Sequence, residues 1–85
     1  MNETKIDILR KEMKGYKYRH FKGGMYVVID LAIHTETDEI MVVYKNTEKL
    51  DLVWCRPLDM FISRVDHEKY PDVEQTMRFE KLGEM

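Results

Sequence analysis

Eighty-five residues make one domain at most. Size scaling allots such a chain roughly 5,300 Å² of folded surface, enough for one small core and too little for a deep enclosed cavity. A net charge of −2, from 14 basic and 16 acidic residues, counts against a general nucleic-acid binder, and one cysteine excludes an intrachain disulfide framework and a Cys-based zinc site. No apolar run approaches the ~20 residues of a membrane span, and the opening Met-Asn-Glu-Thr-Lys lacks a signal-peptide layout. The expectation is a cytoplasmic globular domain.

Residues 3–14 read as a helix within an N-terminal unit 1–14. Ile6, Leu9 and Met13 form one stripe, Asn2 or Thr4 suits the cap, and Gly15 suits the left-handed position after the last turn. Three turns are marginal in water, so this helix must pack on something. The period then changes. Tyr16–Phe21 reads as a strand closed by the turn Lys22-Gly23-Gly24. Met25–His34 is a second strand. Alternation puts Met25, Val27, Ile29, Leu31 and Ile33 on one face, and Tyr26, Val28, Asp30, Ala32 and His34 on a wetter one. Thr35–Asp38 turns the chain into Glu39–Lys45, whose Ile40, Val42 and Tyr44 share a face; the short link favours an antiparallel hairpin.

Asn46–Asp51 is a polar loop. Leu52–Arg56 returns to strand, with Trp54 and Arg56 on one face and Val53 and Cys55 on the other. Pro57 ends the ladder, and Pro57–Phe61 fits one 3₁₀ turn. Ile62–Val65 resumes a strand, Asp66–Thr76 is a loop, Met77–Phe79 adds a last strand, and residues 81–85 are read as a frayed tail after a domain spanning 15–80. Helix first, then about five short antiparallel strands with tight turns, points to a mainly β fold. A Pro-initiated 3₁₀ turn between two late strands makes it an SH3-like barrel by analogy.

Several strings along this order are distinctive: Tyr18-Arg19-His20-Phe21-Lys22-Gly23 with Tyr26, His34-Thr35-Glu36-Thr37, Val42-Val43-Tyr44, Trp54-Cys55-Arg56-Pro57-Leu58-Asp59-Met60-Phe61, and Arg78-Phe79. From about Gly15 to Phe79 the chain resembles the small bacterial domain-of-unknown-function family 1653. The resemblance implies an SH3-like barrel of unestablished activity and no cofactor. Two departures stand out. The Tyr- and Gly-rich hairpin usual before the Trp is replaced by Asn46–Leu52, and the usual Val between Trp and Arg is Cys55, expected to be a buried, inert packing residue.

Four constellations bear on chemistry. His34-x-Glu36-x-x-Glu39 offers metal-type ligands, but a turn rarely aims three of them inward, and no metal is expected. Lys17, Arg19 and Lys22 make residues 16–26 locally +3, while 34–51 and 66–80 are each −3. Interleaved aromatics would suit single-stranded nucleic acid, yet strand alternation sends Tyr18, His20 and Lys22 one way and Arg19 and Phe21 the other. Phe21 is then a core residue and Arg19 pairs with a carboxylate. Trp54 beside Arg56 suits an anion with an apolar body. The structural account instead bridges Arg56 to Glu36 or Asp59 and packs Trp54 on the helix. His20 and His34 titrate near neutrality, but no nucleophile accompanies them, since Ser63 lacks oxyanion donors, and catalysis is not the expected role.

The reading is a binding module for a small anionic ligand or a protein segment, with Tyr18, His20, His34, Glu36, Trp54 and Arg56 converging on a shallow groove. The alternative is a nucleic-acid-associated accessory domain using Lys17, Arg19 and Lys22. An enzyme using a His acid or base comes third. No membrane partner is expected.

Overall fold

The computed structural model describes residues 2–84, with side chains from 4 to 83. The helix α1 runs Asn2–Met13, followed by strands β1 (Tyr16–His20), β2 (Met25–Ile33), β3 (Ile40–Asn46) and β4 (Val53–Pro57). A single helical turn, α2 (Leu58–Phe61), and β5 (Phe79–Glu84) complete the chain. The strands form one antiparallel sheet in the order β4-β3-β2-β1-β5. The mainly β architecture with an N-terminal helix is therefore as expected. No ladder joins β4 to β5 among the described residues, so hydrogen bonding does not close the expected barrel. The accessible surface, 5938 Å², exceeds the size-scaled expectation, as fits an open sheet. No described helix is long and apolar enough to cross a membrane.

Side chains hold the two sheet edges together instead. Phe61, at the end of α2, stacks on Phe79 of β5 with ring centres 4.1 Å apart and planes 7° from parallel. Tyr18 and Tyr44 meet the Phe61 ring edge-on, at 5.2 and 5.4 Å. Ile6, Met13, Val28, Leu31, Ile40, Val42 and Leu58 fill the rest of this core. The stripe of α1 thus buries Ile6 and Met13, with Leu9 packed against the cluster. Polar contacts fix the helix on β2. The Arg10 Nε donates to Asp30 Oδ1 at 2.9 Å and its Nη2 to the Leu31 carbonyl at 3.0 Å. Thr4 lies inside α1 rather than capping it, and the Asn2 side chain is outside those described. Gly15 ends the helix at φ +83° and donates to the Val28 carbonyl.

One feature overturns half of the predicted β2 alternation. Val28 pairs with Tyr44 and Asp30 with Val43, leaving Ile29 unopposed in a β-bulge. An extra residue reverses the in-and-out order across it. Leu31 and Ile33 face the core as expected, but before the bulge Val28 is buried and Tyr26 packs on the cluster.

Four further expectations need correction. The turn after Pro57 is α-helical, because the Ile62 N–H reaches the Leu58 carbonyl four residues back at 2.9 Å. The strand over Ile62–Val65 reduces to one bridge, Arg64 to Met77, because Ser63 and Val65 pair with Arg78 and Thr76 over too short a stretch. The last strand continues through 81–84 against β1, where a frayed tail was expected, because the β1 edge offers free partners as far as Tyr16. Cys55 is exposed rather than buried, since β4 is an edge strand whose outer face no described residue covers.

Candidate functional site

Register decides which distant strings meet. Across the sheet, His20 lies opposite Phe79, Tyr18 opposite Tyr26, Val28 opposite Tyr44, Tyr44 opposite Trp54 and Val42 opposite Arg56. Directly opposed residues point to the same face. His20, Tyr26, Tyr44, Trp54, Arg56 and Phe79 therefore share one face, that of the core. At one end of the sheet they emerge from it and line a groove of about 520 Å³, with Lys22, Gly23 and Cys55 at its rim. Trp54 packs on Tyr26 and Tyr44, at 5.8 and 6.2 Å between ring centres, not on the helix. It remains 39% exposed. Gly24 supports Tyr26 from behind: at φ +90° it would place a Cβ 3.3 Å from that ring.

A second cavity, about 380 Å³, adjoins the groove and shares His20, Lys22 and Arg56 with it. Its far wall comes from the loop after α2 and the approach to β5: Asp66, Lys69, Tyr70 and Arg78. Arg78 is held there by its Nε donating to Ser63 Oγ at 2.9 Å. That Ser63 hydroxyl donates in turn to the Met60 carbonyl, which is a structural use of the one serine. Asp66 is the sole carboxylate in this wall, and its Oδ1 already accepts the backbone N–H groups of Glu68 and Lys69.

The electrostatics are one-sided. Among the described residues, none of His20, Lys22, Arg56, Lys69 and Arg78 has a carboxylate within ion-pair distance; the ion pairs lie on α1 with Asp30 and between Arg19 and Glu80. The Arg56 Nη1 is buried with no hydrogen-bond partner, and its guanidinium carbon lies 5.3 Å from the centre of the Phe79 ring. Burial lowers the His20 pKa below the ordinary imidazole value, and the positive charges of Arg56, Arg78 and Lys22 lower it further. The Lys22 N–H donates to His20 Nδ1 at 3.1 Å, so the neutral ring carries its proton on Nε2. A hydrogen bond with Lys22 lowers the Tyr70 pKa, with Lys69 adding to it.

Of the six residues expected to converge, three do: His20, Trp54 and Arg56. Tyr18 is in the core against Phe61, where burial pushes its pKa up to about 12. His34 and Glu36 sit in the β2–β3 turn, separated from the groove by the length of β2. His34 Nδ1 accepts the Glu36 backbone N–H, a local turn contact, and among the described residues the Glu36 carboxylate makes no ion pair with an arginine. No group of metal-ligating side chains forms there among the described residues. The cavity at that end, about 300 Å³, sets Lys5 against Asp38, Glu39 and Asp59, and it holds no aromatic side chain. The alternative basic trio also divides. Arg19 is paired with Glu80, Lys17 lies on the strand between, and Lys22 belongs to the cleft. Phe21 is half-buried, stacked on His20 at 4.7 Å rather than in the core.

The sequence reading missed Tyr26, Tyr44 and Phe79 as site residues because it treated them as core or motif. Arg78 precedes Phe79 directly, and that adjacency is the one sequence signal that ties it to the site. Nothing local marks Lys69 or Tyr70, which lie in an acidic loop.

Fold and site together define a small, open antiparallel β-sheet domain with a cationic and aromatic cleft at one end of the sheet. Residues 16–81 match the family described as "Protein of unknown function (DUF1653)". That span is most of the chain, and the chain belongs to this family. It is also similar to the crystal structure of a DUF1653 protein from Bordetella bronchiseptica, with TM-score 0.67 and 28% identity, over 88% of this chain and 94% of that one. No curated protein matches the chain.

Proposed function

We propose that the domain is a non-catalytic binding module for a small organic anion, held by Arg56 where the two cavities meet. The unpartnered, buried Nη1 of Arg56 carries this reading. A buried donor left unmade costs about 1–3 kcal/mol, and more when charged. Such a group is accounted for if a ligand completes it. The absence, among the described residues, of any carboxylate paired with its four basic neighbours supports the same conclusion, as does an aromatic wall able to hold an apolar body. In this reading the domain is SH3-like in outline, with its barrel left open between β4 and β5. It works in a bacterial cytoplasm, a reducing compartment that suits the exposed thiol of Cys55.

The test is a titration of ¹⁵N-labelled protein with sodium phosphate at low salt. Amide shifts should concentrate at His20, Lys22, Arg56 and Arg78 and saturate. Arg56→Met should remove them while leaving the rest of the spectrum in place. Unchanged amides at millimolar phosphate overturn the reading.

A further inference from the structure

Resting on that anion-binding reading, we infer that the ligand is a small phosphate monoester carrying a planar ring, its phosphate among Lys22, Arg56, Lys69 and Arg78 and its ring against Trp54 and Tyr26. Charge selects the head group. Four cations face one carboxylate, Asp66, so the chamber holds 4 − 1 = 3 positive charges with His20 neutral. A monocarboxylate leaves most of that charge unmet. A phosphate monoester carries about −1.5 to −2 at neutral pH and offers three acceptor oxygens. Two of the cations are arginines, whose planar forks match phosphate geometry.

The adjoining groove selects what the phosphate is attached to. Its walls are rings, Tyr26, Tyr44, Trp54 and Phe79, and the half-exposed indole of Trp54 is free to take a flat partner. His20, Lys22 and Arg56 line both cavities, so head group and ring lie side by side. The volumes suit one small molecule. A long polyanion fits poorly. Beyond Trp54 the loop joining β3 to β4 carries Glu48 and Asp51 against one base, Lys49, a net negative charge that disfavours further phosphates.

Trp54 is the only tryptophan, so its fluorescence reports the ring subsite alone. The experiment titrates the full chain with AMP, phenyl phosphate, inorganic phosphate, adenosine and benzoate, reading Trp54 emission and heat. AMP or phenyl phosphate should quench Trp54 saturably and bind at least about tenfold tighter than phosphate, adenosine or benzoate, because a base stacked on an aromatic side chain adds affinity that the head group alone lacks. The tighter of the two esters identifies the ring as heterocyclic or phenyl. Trp54→Leu should weaken the ester about tenfold and leave inorganic phosphate unchanged. Lys69→Ala, at an exposed rim position, should weaken both and keeps the test open if Arg56→Met fails to fold. If phosphate binds but neither ester binds tighter, or if benzoate binds best, this inference falls and the anion-binding reading stands. If no anion binds, both fall.

Discussion

The guanidinium of Arg56 lies over the ring of Phe79, 5.3 Å from its centre, and that ring is stacked on Phe61 at 4.1 Å. The charged centre of the cleft is therefore seated on the core of the fold. Arg56 contributes its aliphatic stem and a cation–π contact, and it holds a donor that nothing among the described residues satisfies. Arg56→Met keeps the stem and removes the unmet charge. Its melting temperature should equal or exceed that of the wild type while anion binding is lost. A loss of a few kcal/mol in a denaturant melt would show that the arginine is structural.

The bulge at Ile29 separates two residues that simple alternation treats alike. Leu31 is 1% exposed, whereas Ile29 is half-buried and unopposed. Leu31→Ala should cost about 2–5 kcal/mol, and Ile29→Ala clearly less. Equal costs would mean that the strand runs without the bulge.

His20 links the cleft to pH. Burial, with Arg56 of β4, Arg78 before β5 and Lys22 of the β1–β2 turn, lowers its pKa in the fold; the rings of Phe21, Tyr26 and Phe79 pack around it. The unfolded chain takes up this proton at about 6.5, before the folded chain does. This contribution is full above that pH and is lost as pH falls toward the lower folded value. Wild type should thus lose more stability than His20→Gln between about pH 7 and pH 5. Sulfate, whose charge does not change there, should narrow that difference by favouring the imidazolium. Parallel pH profiles for the two proteins would remove His20 from the cleft's electrostatics.

Tyr18 makes the opposite prediction at the alkaline end. Its folded pKa, pushed up to about 12 chiefly by burial, exceeds the ordinary tyrosine value of about 10. Stability from this group is present below the unfolded value and is lost as pH rises through 10 toward 12. Tyr18→Phe should flatten the alkaline limb of the stability curve. An unchanged limb would place the hydroxyl in solvent.

What the sequence determined by itself was everything governed by local period and turn chemistry. Ile6, Leu9 and Met13 specify one face of a helix, Gly15 ends it, Ile40, Val42 and Tyr44 specify one face of a strand, and Pro57 ends another. It also placed Trp54 and Arg56 together, because residues two apart on a strand share a face where no bulge intervenes, and the β3–β4 ladder has none. Only the tertiary structure decided the rest. The bulge at Ile29 reverses half of β2, and no local rule locates an extra residue in a ladder. Strand direction sends His34 and Glu36 to the end of the sheet opposite Trp54. Lys69, Tyr70 and Arg78 reach the cleft only because the loop after α2 folds back over Phe21 and pairs beside Ser63. Composition along the chain shows that loop as acidic, but the sign of the field inside a cleft depends on which few charges face it. That is set by register and chain reversal over sixty residues, and no window of sequence contains it.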